Sequence, residues 1–80
     1  MAIQSLTQAI EIDGTNPIYF ANRALAYIEL EKFDLALLDC DHALNLDETF
    51  IRAYYRKALV FQKQQKSKLA IDCLKAGLKH

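Results

Sequence analysis

The chain repeats itself at a period of 34 residues, and that period constrains its fold more than any single residue does. Ala2 returns as Ala36 and Ala70, Ile3 as Leu37 and Ile71, and Leu6 as Cys40 and Leu74. Ala9 returns as Ala43 and Gly77, and Ile10 as Leu44 and Leu78. Between these triplets lie matched pairs: Phe20 with Tyr54, Ala24 with Ala58, Leu25 with Leu59, and Tyr27 with Phe61. Small residues return as small, large apolar as large, aromatic as aromatic. A period of this length, built from helical pieces, marks stacked helix-turn-helix units, each of which buries its apolar face only against its neighbours.

Helix signals fall where the period requires them. Apolar residues at 3, 6, 9, 10 and 12 predict a helix over 2–13, with Gly14 free to take the left-handed conformation that ends it. Asn16 reads as the next cap and Pro17 as a first-turn residue, where its missing N–H costs nothing. That second helix runs to about Leu30, and Glu31 and Lys32 form a short turn. A third helix covers 33–46, its inward residues being Ala36, Leu37, Cys40, Ala43 and Leu44. Thr49 reads as the cap of a fourth helix over 50–64, and Ser67 caps or just precedes a fifth carrying Ala70, Ile71, Leu74 and Leu78. Short turns force sequence neighbours to pack antiparallel. The expected fold is therefore all-α, about five antiparallel helices stacked as helix-turn-helix repeats in a short right-handed superhelix. Alanines at 24, 36, 58 and 70 let helix backbones approach, and the aromatics at 20, 27, 54 and 61 fill the space beside them.

Composition narrows the function. Eighty residues allow one domain at most, and 52% hydrophobic with 25% charged residues is the make-up of a folded chain, not a disordered one. No apolar run approaches the ~18 residues of a membrane span and no signal-peptide pattern opens the chain, so a soluble protein is expected, with no membrane partner. Cys40 and Cys73 sit mid-helix on apolar faces and read as reduced packing residues. The net charge of zero hides a split: residues 1–50 hold nine acids and two bases, net −7, and residues 51–80 hold eight bases and one acid, net +7. Overall neutrality argues against nucleic acid as a partner, while the basic end can steer an acidic ligand. There is no glycine-rich phosphate loop, no nucleophile beside a base and no paired carboxylates. His42, at an outer position, and His80, terminal, lack partners at ligand spacing. Catalytic residues, cofactor and metal ligands are accordingly expected to be none.

Phe20-x3-Ala24-x2-Tyr27 followed by Ala36, Cys40 and Ala43 resembles one complete tetratricopeptide repeat. Tyr54-x3-Ala58-x2-Phe61 followed by Ala70, Leu74 and Gly77 resembles the next. The resemblance divides 1–80, a single array, into a complete repeat at 17–47, a nearly complete one at 50–79, and a segment 2–13 that looks like the second helix of a preceding repeat. Departures are mild: Glu31 and Gln65 occupy the usual turn glycine, and Gly14 and Glu48 a common proline. Because the array opens mid-repeat and ends without a solvating helix, a fragment of a longer protein is expected, or a homodimer through uncovered terminal helices.

In this family the first helix of each repeat lines a concave groove. That points to Asn22, with Ile18, Ala21, Leu25, Ile28 and Glu29 around it, and to Arg52, Tyr55, Arg56, Leu59, Gln62 and Lys63. Arg52 and Arg56, four apart, share one helical face, and two guanidinium forks on one face suit carboxylate recognition. The runs Tyr19-Phe20-Ala21-Asn22-Arg23-Ala24 and Arg52-Ala53-Tyr54-Tyr55-Arg56-Lys57-Ala58 are similar to the carboxylate-clamp subgroup of co-chaperones. That resemblance implies a cytoplasmic, non-catalytic adaptor whose peptide-binding residues Asn22, Arg52 and Arg56 hold the acidic C-terminal peptide of a heat-shock protein 90 or 70 class chaperone. Arg52 stands where lysine is usual, and the clamp's remaining lysine and asparagine belong to a helix that would precede residue 1. Two alternatives stand beside it. Arg52 and Arg56 are solvated residues pairing with Glu48 and Glu29, or the array is a general scaffold that binds another protein or itself. Arg23 and Lys57, one residue on from the groove face, are expected to cover the interface between repeats with their stems.

Overall fold

Five helices follow one another in a computed structural model that describes residues 3–79: α1 (Ile3–Ile12), α2 (Pro17–Glu29), α3 (Phe33–Leu46), α4 (Ile51–Lys63) and α5 (Ser67–Leu78). Ala2 of the periodic triplet and the terminal His80 lie outside the described residues. The fold is all-α, a short solenoid of stacked helix pairs.

Two kinds of turn alternate. After α2 the Lys32 N–H donates to the Tyr27 carbonyl (2.8 Å) and the Glu31 N–H to the Ile28 carbonyl (2.9 Å), with Glu31 at φ 59°. After α4 the Lys66 N–H reaches the Phe61 carbonyl (2.7 Å) and the Gln65 N–H the Gln62 carbonyl (3.0 Å), with Gln65 at φ 61°. Both are Schellman motifs, which satisfy the last carbonyls of a helix through one left-handed residue. After α1 and α3 the chain turns differently. Asp13 Oδ1 accepts the Thr15 N–H (3.1 Å) and hydroxyl (2.6 Å), and Asp47 Oδ1 accepts those of Thr49 (3.0 and 2.6 Å).

Three cap expectations change as a result. Gly14 does not take a positive φ, because the Asp13 side chain closes that turn in its place. Thr49 does not cap α4; its donors are turned back to Asp47, and the cap residue is Phe50, with no side-chain cap bond. Ser67 is the first helical residue of α5, preceded by Lys66 as cap. Asn16 does cap α2, its Oδ1 accepting the Ile18 N–H at 3.0 Å ahead of Pro17.

Packing sets the curvature. Each helix lies against its sequence neighbours, and α2 also lies against α4. Among the described residues, α1, α3 and α5 do not touch one another. The inner row is tight and the outer row splayed, so the stack bends around the α2–α4 face. One core cluster joins Ala24, Ile28, Ala36, Cys40 and Val60, with Tyr27, Phe33, Leu37 and Leu59 against it. The other joins Phe20, Ala43 and Ala53, with Ile10, Leu44 and Phe50. Full burial of Ile28 or Val60 stabilises by roughly 1.5–3 kcal/mol each. Leu6 is also fully buried, so the apolar stripe of α1 is largely covered by α2 and does not stand open as the sequence suggested. The exposed apolar residues at the ends are Ile12 and, on α5, Leu69, Ile71 and Leu78.

Candidate functional site

Because α2 and α4 are equivalent helices packed side by side, residues 34 apart in sequence form rungs across the inner face. The rungs are Ile18 with Arg52, Asn22 with Arg56, Leu25 with Leu59, and Glu29 with Lys63. Asn22, Leu25, Ala26 and Glu29 line a cleft of about 220 Å³ on the α2 side. Arg52 and Arg56 are not part of that cleft; they stand on the neighbouring helix. Two expected groove residues are absent from the surface. Ala21 and Ile28 are buried (0% and 2% exposed), Ile28 because it joins the core cluster with Val60 of α4.

Besides Lys63 at the end of α4, the cations of these helices fall into two sets. Arg23 and Lys57, 34 apart, turn to the outer helices. Arg23 donates to both carboxylate oxygens of Asp39 on α3 (2.8 and 2.7 Å) and to the Thr7 hydroxyl of α1 (3.2 Å). Its guanidinium also lies 5.8 Å from the Phe20 and Tyr27 ring centroids. The Asp39 hydrogen bonds raise the Arg23 pKa, and Asp39 itself is buried. Lys57 donates to Asp41 of α3 (3.0 Å); burial pulls its pKa down, but the Asp41 bond and charge together leave it raised. Through Thr7 and Asp41, the charged heads of both side chains reach a neighbouring repeat. The Asp39 and Asp41 partners were not legible, since one-residue differences along a helix decide which acid faces which base.

Arg52 and Arg56 form the other set. Neither makes an ion pair among the described residues, so the pairing with Glu48 and Glu29 is not found. Arg56 is half-buried, and its Nε is shielded from solvent with no hydrogen-bond partner. A shielded donor left unmade costs about 1–3 kcal/mol. Arg52 is exposed, the second residue of a helix whose first turn carries no acid. A cation at this positive end of the helix dipole opposes stability and strengthens attraction for an anion. Its guanidinium lies 5.9 Å from the Phe50 ring centroid, a contact the sequence reading missed. The inner face thus carries two arginines one turn apart without counterions among the described residues, flanked by an amide and by Leu25, Leu59 and the exposed Tyr55.

A second cleft, of about 340 Å³, lies by the α2–α3 turn, lined by Glu31, Lys32, Phe33, Asp34, Leu35 and Gln64. No group of His, Cys, Asp and Glu is placed to hold a metal ion, and no helix is long and apolar enough to cross a membrane. Cys40 is buried with its thiol pKa pushed up to about 12, and burial raises that of Cys73 as well. Both are the reverse of an activated nucleophile.

The tetratricopeptide repeat family profile matches residues 19–50 and 51–79. Human serine/threonine-protein phosphatase 5 is 46% identical over 57 residues, covering 71% of this chain but only 11% of the phosphatase. The chain thus spans about a tenth of that relative's length. Two solved structures are close in three dimensions. The first TPR of Spaghetti (RPAP3), bound to the HSP90 peptide SRMEEVD, superposes with a TM-score of 0.90 at 33% identity over 98% of this chain and 63% of that one. The TPR2B domain of yeast Sti1, in a pHsp70 complex, gives 0.89 at 32% identity over 95% and 61%.

Proposed function

The chain belongs to the tetratricopeptide repeat family, and from that premise we propose that it is a co-chaperone-type adaptor domain whose concave face binds the acidic C-terminal peptide of a heat-shock protein 90 or 70 class chaperone. The observation that carries this reading is the pair Arg52 and Arg56, one turn apart on the inner face and without an acid partner among the described residues. Arg56 holds a carboxylate through the guanidinium whose Nε is unsatisfied, Arg52 holds a second acid, and the Asn22 amide takes the peptide backbone. The reading gains support from the two structural neighbours, one bound to an HSP90 peptide and the other in a complex with pHsp70. It treats residues 1–80 as one array of repeats, 2–13, 17–47 and 50–79, acting without catalysis in the cytoplasm.

Calorimetric titration with a short peptide ending in Glu-Glu-Val-Asp, beside the same peptide amidated at its C-terminus, tests it. The free acid should bind and the amide should bind at least tenfold more weakly, since a charge-assisted bond is worth about 1.5–3 kcal/mol. Equal binding of both peptides would remove the clamp.

A general scaffold that associates with itself through its terminal helices is the second reading. It is favoured by the exposed Ile12 of α1 and Ile71 and Leu78 of α5, together with a negative first part and a positive last part of the chain. Sedimentation at high protein concentration distinguishes it: a clean monomer excludes self-association.

A further inference from the structure

We propose that Phe50 is a positioning residue for the peptide-binding Arg52, an inference that rests on the clamp reading above. An exposed arginine with no ion pair ordinarily spreads over many rotamers, and ordering it on binding subtracts from affinity. Here the guanidinium is already held, 5.9 Å from the centroid of the Phe50 ring and within the ~6 Å over which a ring face attracts a cation. The ring is itself anchored. Phe50 is half-buried against the cluster of Phe20, Ala43 and Ala53, with Ile10 and Leu44 beside it. The core of the stack therefore reaches up beneath one finger of the clamp.

The repeat gives an internal control. The residue 34 before Phe50 is Asn16, which caps α2 with its side chain, and the residue 34 before Arg52 is Ile18. At α4 both positions change together: the cap residue becomes an aromatic with no side-chain cap bond, and the groove residue becomes a cation. A side-chain cap bond is also missing at α3 and α5, so what sets α4 apart is that its cap residue is an aromatic ring lying beside a groove cation. A guanidinium over a ring face also keeps its in-plane N–H donors turned away from the ring, where a carboxylate can meet two of them.

A double-mutant cycle with the Glu-Glu-Val-Asp peptide tests this. Phe50→Leu should weaken binding roughly two- to fivefold, the range of an exposed cation–π contact, while Phe50→Tyr, which keeps the ring, retains affinity. In an Arg52→Gln background, Phe50→Leu should cause no further loss. On the unmutated protein, NMR should show the Arg52 side-chain protons shifted upfield by the ring current, a readout that does not depend on Phe50→Leu folding. The inference is overturned if the Arg52 protons resonate at random-coil positions. It is also overturned if Phe50→Leu leaves affinity intact while Arg52→Gln weakens it, or if Phe50→Leu costs the same factor in both backgrounds. An Arg52→Gln protein that binds as tightly as the parent overturns both this inference and the role of Arg52 in the clamp.

Discussion

Arg23 holds three helices at one point, and its removal separates pairing from packing. Its fork spans both oxygens of a buried Asp39 on α3 and reaches Thr7 on α1. Asp39→Ala leaves the guanidinium without its charge partner, and breaking a buried pair in this way costs about 3 kcal/mol. Urea melts should show that loss, and a larger one than for Asp41→Ala, whose partner pair with Lys57 is more exposed. Two residues work against stability in the other direction. Glu31 and Gln65 sit at φ 59° and 61°, the region that costs a residue with a side chain roughly 1–2 kcal/mol. Glu31→Gly and Gln65→Gly should each raise stability by about 0.5–1 kcal/mol in thermal melts, the gain reduced by glycine's greater freedom when unfolded. Cys40 gives a pH dependence. Its folded thiol stays protonated to about 12, whereas an unfolded thiol ionises near about 8.5. Below about pH 8.5 both states hold the proton; above it only the folded state does, so stability should fall as the pH rises from there toward 12. Melts at pH 7 to 10.5 should show that decline, and Cys40→Ala should flatten it.

At the scale of the helices, tolerance is set by the small residues at crossings. A Cβ on Gly77 of α5 would stand 3.1 Å from the Tyr54 Cβ of α4, closer than ordinary contact. Ala36 is fully buried between α3 and its neighbours. Ala36→Leu should overpack that crossing and cost on the order of 1–3 kcal/mol. A melt unchanged by that substitution would mean that α3 faces its neighbours in a different register. The period made this legible in advance, because Ala24, Ala36, Ala58 and Ala70 recur as small residues and only close helix packing demands that. Helix ends were less legible. Asn16-Pro17 was read correctly, since cap and first-turn proline are local signals. Gly14, Thr49 and Ser67 were misread because Asp13 and Asp47 accept from Thr15 and Thr49, two residues on, and because a Schellman turn places a left-handed residue at Glu31 and Gln65 regardless of side chain. The expected groove residues were read from the family resemblance and helical spacing alone. Ala21 and Ile28 escaped because the packing of α2 against α4 buries one flank of a face that helical spacing alone leaves open.

At the scale of the molecule, a tight inner row of α2 and α4 and a splayed outer row create one concave face, and on it stand the two arginines, without a counterion among the described residues. Peptide affinity should fall as salt is added, because attraction between exposed charges is screened over about 10 Å at 0.1 M. Arg56→Ala should weaken binding by one to two orders of magnitude with little change in melting temperature, since it makes no ion pair among the described residues. The most direct measurement is an NMR titration of the chain with the Glu-Glu-Val-Asp peptide. Saturable shifts should concentrate on Asn22, Leu25, Arg52, Arg56 and Leu59, and leave Leu35 and Leu38 of α3 and Ile71 of α5 unmoved. Shifts centred on those outer residues, or no saturable shift on the inner face, would contradict a clamp on the concave side.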